Sequence, residues 1–260
     1  MAVLGGDGSV SIAARALIAV GGGTSLAILA AGTGNDLAKS LGAPVHDYGA
    51  MAWLIARRAA RRIDAGMVDN VSFVNAAGFG FDAETIARLA SSAPGASIQP
   101  PRWDGPSRSR YVRAALGALW SYRGFSASIS ADGADGPSAV DTRGAGAGAP
   151  PRTSRLMLVF ANGRSFGGAF LIAPDADVGD GALDMVSIGD AVPGRRIALF
   201  ARAMRGTHMS CAEVSSRQGA SFVLQFDEPP LFEADGELHQ ARNATVNVRC
   251  IPAAVTVVAP

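Results

Sequence analysis

Apolar and polar positions alternate in two different ways along the chain. Up to about residue 62, short apolar runs take turns with helix-length stretches. Residues 2–4 read as the end of a strand. Residues 10–20 read as a helix, with Ser9 as its N-cap and Gly21-Gly22-Gly23 as its stop. Leu26 to Ala30 is a short buried strand. Asn35 or Asp36 caps a helix from Leu37 to Leu41, which Gly42 and Pro44 close. Asp47 caps the next helix, from Tyr48 to about Arg61. This β-α-β-α-α order implies a parallel, right-handed unit.

After Ile63 the pattern changes. Strand-like apolar segments recur near 71–75, 125–130, 155–160, 183–188, 221–226 and 244–250, with Gly, Pro and Asp turns between them. That is the signal of a mostly antiparallel β domain. Helices are expected near 83–90, 109–122 and 194–205. Residues 132–153, rich in Gly, Ala, Pro and Asp, read as a flexible insertion. The expected fold class is α/β plus β. A partial parallel α/β domain over 1–62 is followed by an antiparallel, β-sandwich-like domain over 63–260.

Composition narrows the function classes. An apolar fraction of 48% in 260 residues supports a sizeable core, in one large or two small domains. The formal net charge of +1 argues against nucleic acid as a partner, which needs a basic stripe. Cys211 and Cys250 are too few for a disulfide framework, so a reducing cytosol is the default. The sequence has neither the long uninterrupted apolar run of a membrane span nor a signal peptide.

Two glycine loops carry the first candidate chemistry: Gly5-Gly6-Asp7-Gly8-Ser9 and Gly32-Thr33-Gly34-Asn35-Asp36. At the ends of adjacent parallel strands, such turns let backbone N–H groups approach an anion, with a helix N-terminus behind each. An acid beside such a cradle points to Mg²⁺–nucleotide chemistry. Asp64 either lines a cleft or is a solvated turn residue before Gly66. Asp82, ending Asn75 to Asp82, is a site acid or a helix N-cap. Asp175, Asp177, Asp180 and Asp184 suit a hard cation or form an Asp/Gly turn. Asp235-Gly236-Glu237 is the tip of a hairpin or a pair of active-site acids. His46, His208 and His239 share no metal-ligand spacing. The aromatic stripe of helix 109–122, flanked by arginines, packs on a sheet or touches a membrane.

Together these segments resemble the diacylglycerol kinase catalytic family, which includes bacterial lipid kinases, sphingosine kinases and ceramide kinases. The resemblance runs from Gly5 through Asn75–Asp82, Gly167–Pro174 and Asp180–Asp184 to Asp235-Gly236-Glu237. It implies transfer of the γ-phosphoryl group of ATP to a lipid hydroxyl, with Mg²⁺, in a cleft between two domains. By this resemblance Gly6, Asp7, Gly8, Ser9, Thr33, Gly34, Asn35 and Asp36 form the ATP site. Asp7, Asp36 and Asp64 organise Mg²⁺ and its waters. Glu237 is the catalytic base, with Asp235 beside it, and Asp82 lies near the acceptor hydroxyl. Asp177, Asp180 and the Ala182 carbonyl match a structural Mg²⁺ site. The implied partner is a membrane lipid, met by peripheral contact at the inner, cytoplasmic membrane face. A homodimer is also open.

Three departures qualify the resemblance. Ser9 stands where the family usually has Thr, and Gly179 where an acid commonly lies. Members also carry a preceding α/β segment with an Asn-Pro glycine loop. The expectation is that this chain lacks that segment, so that it expresses poorly and binds ATP weakly. The competing readings are a non-catalytic remnant that binds lipid or a partner, and an NAD kinase-like enzyme. Diacylglycerol, a sphingoid base, ceramide and a polyprenol all remain open as acceptors.

Overall fold

The computed structural model describes residues 1–21, 23–91, 119–132 and 153–260. All of the expected insertion at 132–153 except its end residues, which are strand, and most of the helix at 109–122 lie outside these residues. Of that helix, 119–121 are described and are helical.

The chain opens with β1 (Ala2–Gly5), α1 (Asp7–Val20), β2 (Ser25–Ala30), α2 (Asp36–Ser40) and α3 (Tyr48–Ala56). β1 and β2 are parallel, with Gly5 opposite Ala30. Helix α1 starts earlier than expected. Its N-cap is Gly6, without a side-chain cap bond, so Ser9 sits inside the first turn. Gly21, in the left-handed region at φ 64, closes it as expected. Asn35 is the N-cap of α2, and Asp47 caps α3 by accepting the Ala50 N–H at 2.9 Å. Helix α3 ends well before Arg61. Arg58 turns left-handed at φ 54, and Ala60–Arg62 become strand because Val258–Thr256 pair with them. Tertiary pairing here overrides helical periodicity.

The rest is mainly strand: β3 (Ala60–Val68), β4 (Val71–Phe73), β5 (Ala76–Gly80), β6 (Phe125–Asp132), β7 (Thr153–Ala161), β8 (Ser165–Phe166), β9 (Phe170–Leu171) and β10 (Leu183–Gly189). These are followed by β11 (Val214–Gly219), β12 (Ser221–Gln225), β13 (Leu231–Ala234), β14 (Glu237–Gln240) and β15 (Thr245–Val258). Helix α4 (Phe81–Ser91) follows β5, and α5 (Pro193–Ala203) follows β10. The main sheet runs β1-β2-β15-β12-β6-β7-β5-β13-β14, with β3, β4, β10 and β11 branching from it. Its parallel pairings are β1–β2 and β2–β15, and its other strand pairings are antiparallel.

The first core joins both ends of the chain. Val10, Leu37, Met51 and Leu26 pack with Ile63, Ala65, Val257 and Ala259. The expected division at residues 62 and 63 therefore falls inside β3. A second core is aromatic, with Phe79 stacked on Phe226 at 5.4 Å and on Phe232 at 5.6 Å. A third lies across β7 and β10 beneath α5, around Leu156, Val159, Ile172 and Leu199. Strand β7 is buried on both faces, which explains its unbroken apolar run Leu156–Ala161. Cys211 and Cys250 are buried and unbridged. Among the described residues, no helix is long and apolar enough to cross a membrane.

Candidate active site

Because Gly5 and Ala30 are in register, the glycine loops leave their strands side by side. Their backbones touch. A Cβ on Gly32 would lie 2.4 Å from Gly6 Cα, and one on Gly34 would lie 2.3 Å from Asp7 Oδ2. At Gly32 the obstacle is backbone, and at Gly34 it is the Asp7 carboxylate. Asn35 clasps its own loop, its Oδ1 accepting the Gly32 N–H at 2.9 Å and its Nδ2 donating to Gly32 O at 2.7 Å. Asp7 turns away from its own helix. Its carboxylate accepts the Asn35 N–H at 2.8 Å and the Asp36 N–H at 2.6 Å, which satisfies two orphan donors at the start of α2. The exposed first turn of α1, with Gly8 and Ser9, keeps its own N–H groups for another partner.

A third glycine turn meets these two. Gly167 and Gly168 are both left-handed, and a Cβ on Gly34 would lie 3.4 Å from Gly168 Cα. Gly168 N–H donates to Asp36 Oδ2 at 2.8 Å, and Lys39 Nζ donates to Gly168 O at 3.1 Å. Among the described residues Asp36 Oδ1 is buried without a hydrogen-bond partner, and Lys39 Nζ lies 4.0 Å from it. Burial, then the Asp7 charge, pushes the Asp36 carboxyl up to about 6.

The β13–β14 hairpin supplies the second group of acids. Asp235 and Gly236 form its tip at φ 49 and φ 85, as an Asp-Gly turn requires. Asp235 is fully engaged. Its Oδ1 accepts the N–H groups of Asn75 at 2.9 Å and Ala76 at 3.2 Å. Its Oδ2 accepts Val74 N–H at 2.9 Å and the Ser11 hydroxyl at 2.8 Å. It therefore rivets the hairpin to the β4–β5 turn and to α1. Burial pushes its carboxyl up, and these donors pull it back. Glu237 points elsewhere, its Oε2 lying 2.6 Å from Arg15 Nη2 on α1. His239 Nε2 is 4.0 Å from the same oxygen, and its ring stacks on Phe232. Burial lowers the His239 pKa, which favours the neutral ring.

Asp82 and Glu233 are both buried acids of this region. Glu233 on β13 is in register with Gly78 on β5, and Asp82 follows in the first turn of α4. A Cβ on Gly78 would lie 1.7 Å from Asp82 Oδ2 and 3.2 Å from Glu233 Oε1. Among the described residues, neither Asp82 oxygen has a hydrogen-bond partner, nor has Glu233 Oε1. Glu233 Oε2 accepts the Gly236 N–H at 2.7 Å. Burial pushes Asp82 up to about 7. Burial, then the Asp82 charge, raises Glu233 well above the usual carboxylate range.

Asp64 belongs to a different neighbourhood. Strand β15 bulges between Ile251 and Val255, which frees Ala253 from the ladder. Asp64 Oδ1 accepts the Ala253 N–H and Oδ2 the Gly181 N–H, both at 2.6 Å. It anchors the 175–184 loop to β3 and β15. Within that loop Asp177 accepts the Gly179 N–H at 3.1 Å, and Asp180 accepts the Ala182 N–H at 3.0 Å and Gln218 Nε2 at 2.7 Å. Among the described residues, no three His, Cys, Asp or Glu side chains are gathered to hold an ion.

Comparison with known proteins decides the family. Residues 1–68 match the model of the diacylglycerol kinase catalytic domain, and residues 90–259 match that of the YegS C-terminal NAD kinase beta sandwich-like domain. The chain belongs to the diacylglycerol kinase and YegS-like lipid kinase family. A protein named diacylglycerol kinase from Mycobacterium tuberculosis (strain CDC 1551 / Oshkosh) is 29% identical over 99% of this chain and 76% of its own length. A "Probable lipid kinase YegS-like" from Pseudomonas aeruginosa (strain UCBPP-PA14) is 33% identical over 70% of this chain and 51% of its own length. A diacylglycerol kinase crystal structure from Bacillus anthracis str. Sterne superposes with a TM-score of 0.65 at 16% identity, covering 100% of this chain and 75% of that one. At that identity the superposition supports the fold alone.

Within this lipid kinase fold, Gly6, Asp7, Gly34, Asn35 and Asp36 lie together, and Ser9 and Thr33 are exposed. Among the described residues, the Asp64 carboxylate bonds to Gly181 and Ala253 rather than to this group. Asp235 and Glu237 diverge, one into the interior and one toward Arg15. Sequence reasoning missed Glu233, Lys39 and Arg15, and named Gly168 only as part of the Gly167–Pro174 segment. The signal for Glu233 was faint: an acid in a short strand, Leu231–Ala234, whose Phe232 and Ala234 neighbours on the other face are also buried.

Proposed function

We propose that this chain transfers the γ-phosphoryl group of ATP to the hydroxyl of a membrane lipid, with Mg²⁺. The observation that carries this reading is the meeting of three glycine turns around Asp7 and Asp36, in a chain of the lipid kinase family. The amides at the start of α1 and the loop 32–34 would receive the phosphates. Residues Gly6 to Ser9 and Thr33 would surround the nucleotide.

The residues present fit a nucleotide-bound Mg²⁺ at Asp36. Its Oδ1 is buried without a hydrogen-bond partner among the described residues, Lys39 Nζ lies 4.0 Å from it, and the neighbouring Asp7 charge adds to the pull on a cation there. Bound there, Mg²⁺ would supply neutralisation of phosphate charge. The residues do not fit a second ion at Asp177, Asp180 and Ala182. Both acids are exposed and close local turns with their own amides.

Phosphoryl transfer through a loose transition state needs mainly positioning and charge neutralisation. Glu237 is assigned as the base that takes the hydroxyl proton, and Arg15 orients its carboxylate. Asp235 acts by fixing the hairpin that carries Glu237. Asp82 lies on the acceptor side. Lipid access implies peripheral contact with a membrane surface. The test is incubation with γ-labelled ATP and Mg²⁺ over a panel of diacylglycerol, sphingoid base, ceramide, polyprenol and NAD. Label in a lipid is expected, and label in NAD alone contradicts the proposal.

A further inference from the structure

Helix α5 turns an apolar face to solvent, the reverse of an ordinary surface helix. Its inner side carries Arg196, Leu199 and Ala203, all buried. Its outer side carries Ile197, Ala201 and, at the C-cap, Met204, with Ile197 41% and Met204 54% exposed. Leu171 on β9 extends this stripe. It is exposed, and a Cβ on Gly206 would lie 3.4 Å from Leu171 Cβ. Trp120, 67% exposed, flanks the helix from the turn 119–121, where Arg196 Nη1 donates to the Leu119 carbonyl. Exposed apolar residues scattered singly are ordinary, but a stripe of them marks an interaction surface.

Charge and position say what the stripe meets. By helical spacing Arg195, Arg202 and Arg205 line one edge of it, and no Asp or Glu occurs between Asp190 and Glu213. Among the described residues, Glu213 balances Arg195 through bonds of 2.6 and 2.9 Å and Asp190 balances Arg196, which leaves the charge of Arg202 and Arg205 in excess. The other edge leads to the candidate site. Phe200 packs on Phe170 at 5.7 Å and on Phe81 at 5.3 Å. Phe81 adjoins Asp82, and Phe170 lies just beyond Gly168, whose N–H donates to Asp36. One aromatic layer thus joins α5 to both halves of the site. Helix α3 also exposes Trp53 and Ile55, but Ile55 borders Met1 and Ser25, at the strand ends away from the glycine loops.

We propose that the outer face of α5, with Leu171 and Trp120, docks the protein on a bilayer containing anionic lipids and so presents the cleft to its lipid acceptor. This rests on the lipid kinase reading above. An apolar stripe edged by arginines suits a helix lying in the membrane interface. Ile197 and Met204 enter the boundary between head groups and acyl chains, and Arg202 and Arg205 meet lipid phosphate oxygens. Trp120 sits at head-group level, where an amphipathic ring is favoured. Docking raises the lipid concentration at the cleft and leaves the chemical step unchanged.

Vesicle co-sedimentation of the full chain without ATP reads docking apart from catalysis. The vesicles are phosphatidylcholine alone or phosphatidylcholine mixed with phosphatidylglycerol. The parent should bind the mixed vesicles, and more weakly at high salt. Ile197→Glu and Met204→Glu should each weaken that binding on the order of tenfold, and Trp53→Glu on α3 should leave it unchanged. Arg202→Gln with Arg205→Gln is the second route, should a change in the stripe disturb the fold. It should weaken binding to the mixed vesicles on the order of tenfold and spare binding to phosphatidylcholine alone. Turnover of a water-soluble, short-chain diacylglycerol should stay within about twofold in every variant, while turnover on vesicles falls with binding. Parent-like vesicle binding in Ile197→Glu and Met204→Glu, or an equal loss in Trp53→Glu, would overturn the proposal. Self-association that Met204→Glu abolishes, in a parent that binds no vesicles, would overturn it too and assign the face to a second copy of the chain. Vesicle binding that the α5 variants lose, in a parent that phosphorylates no lipid, overturns the proposed function and leaves the docking surface standing.

Discussion

Arg15 Nη2 lies 2.6 Å from Glu237 Oε2, so the helix behind the first glycine loop is tied to the strand that carries the assigned base. The pair is partly exposed, with side chains 19% and 28% accessible. It therefore stabilises the fold by only about 1 kcal/mol or less. Its value is positional. Glu237→Gln should leave ATP affinity nearly intact and lower turnover by roughly 10²–10⁴-fold. Calorimetry with ATP and steady-state kinetics check both halves. Turnover within about threefold of the parent would remove Glu237 from the role and make Asp82 the next candidate.

The contact between Gly6 and Gly32 is backbone to backbone, and nothing flexible can give way. Gly32→Ala should cost about 1–3 kcal/mol of stability and weaken ATP binding by about tenfold or more. Gly8→Ala is the control for stability, because a Cβ there meets nothing within 4 Å. It should leave the unfolding midpoint unchanged or slightly raised, through the better helix propensity of Ala. Equal losses in the two variants would contradict the packing argument.

Asp235 is expected to matter for the fold before it matters for chemistry. Asp235→Ala leaves the N–H groups of Val74, Asn75 and Ala76 and the Ser11 hydroxyl without their acceptor. Each buried donor so orphaned costs about 1–3 kcal/mol, so the total loss should be about 3 kcal/mol or more. Urea unfolding measures it. A stable variant with abolished turnover would show that Asp235 acts directly on the substrates.

What was legible in the sequence was what is local. Glycine turns at strand ends, the Asp47 cap and the Asp235-Gly236 hairpin tip depend on a few adjacent residues, and the structure has them where the pattern put them. Asp7 and Asp36 meet because parallel strands in register bring their loops together. What the pattern hid depends on long-range register. Residues 60–62 became strand through pairing with β15, and Asp64 was claimed by a bulge in that same distant strand. Glu233 gained its meaning only from its neighbours across the sheet, Gly78 and Asp82.

Metal removal should separate catalysis from stability. Asp177 and Asp180 already accept the N–H groups of Gly179 and Ala182, so the 175–184 loop does not depend on an ion for its shape. Chelation of Mg²⁺ should abolish phosphoryl transfer yet leave the thermal midpoint of the nucleotide-free protein within about a degree, since a ligand that is not bound contributes no linkage term. A midpoint that falls by several degrees on chelation, and recovers with Mg²⁺, would restore the structural ion at Asp177, Asp180 and Ala182.

Phosphorus NMR of the protein with ATP, Mg²⁺ and diacylglycerol vesicles follows donor and acceptor in one sample, and it tests the lipid kinase assignment most directly. The account predicts that a new lipid phosphomonoester resonance grows in step with ADP, and that Glu237→Gln slows both together. ADP appearing only with inorganic phosphate, or a phosphorylated product forming only when NAD replaces the panel of lipid vesicles, would contradict it.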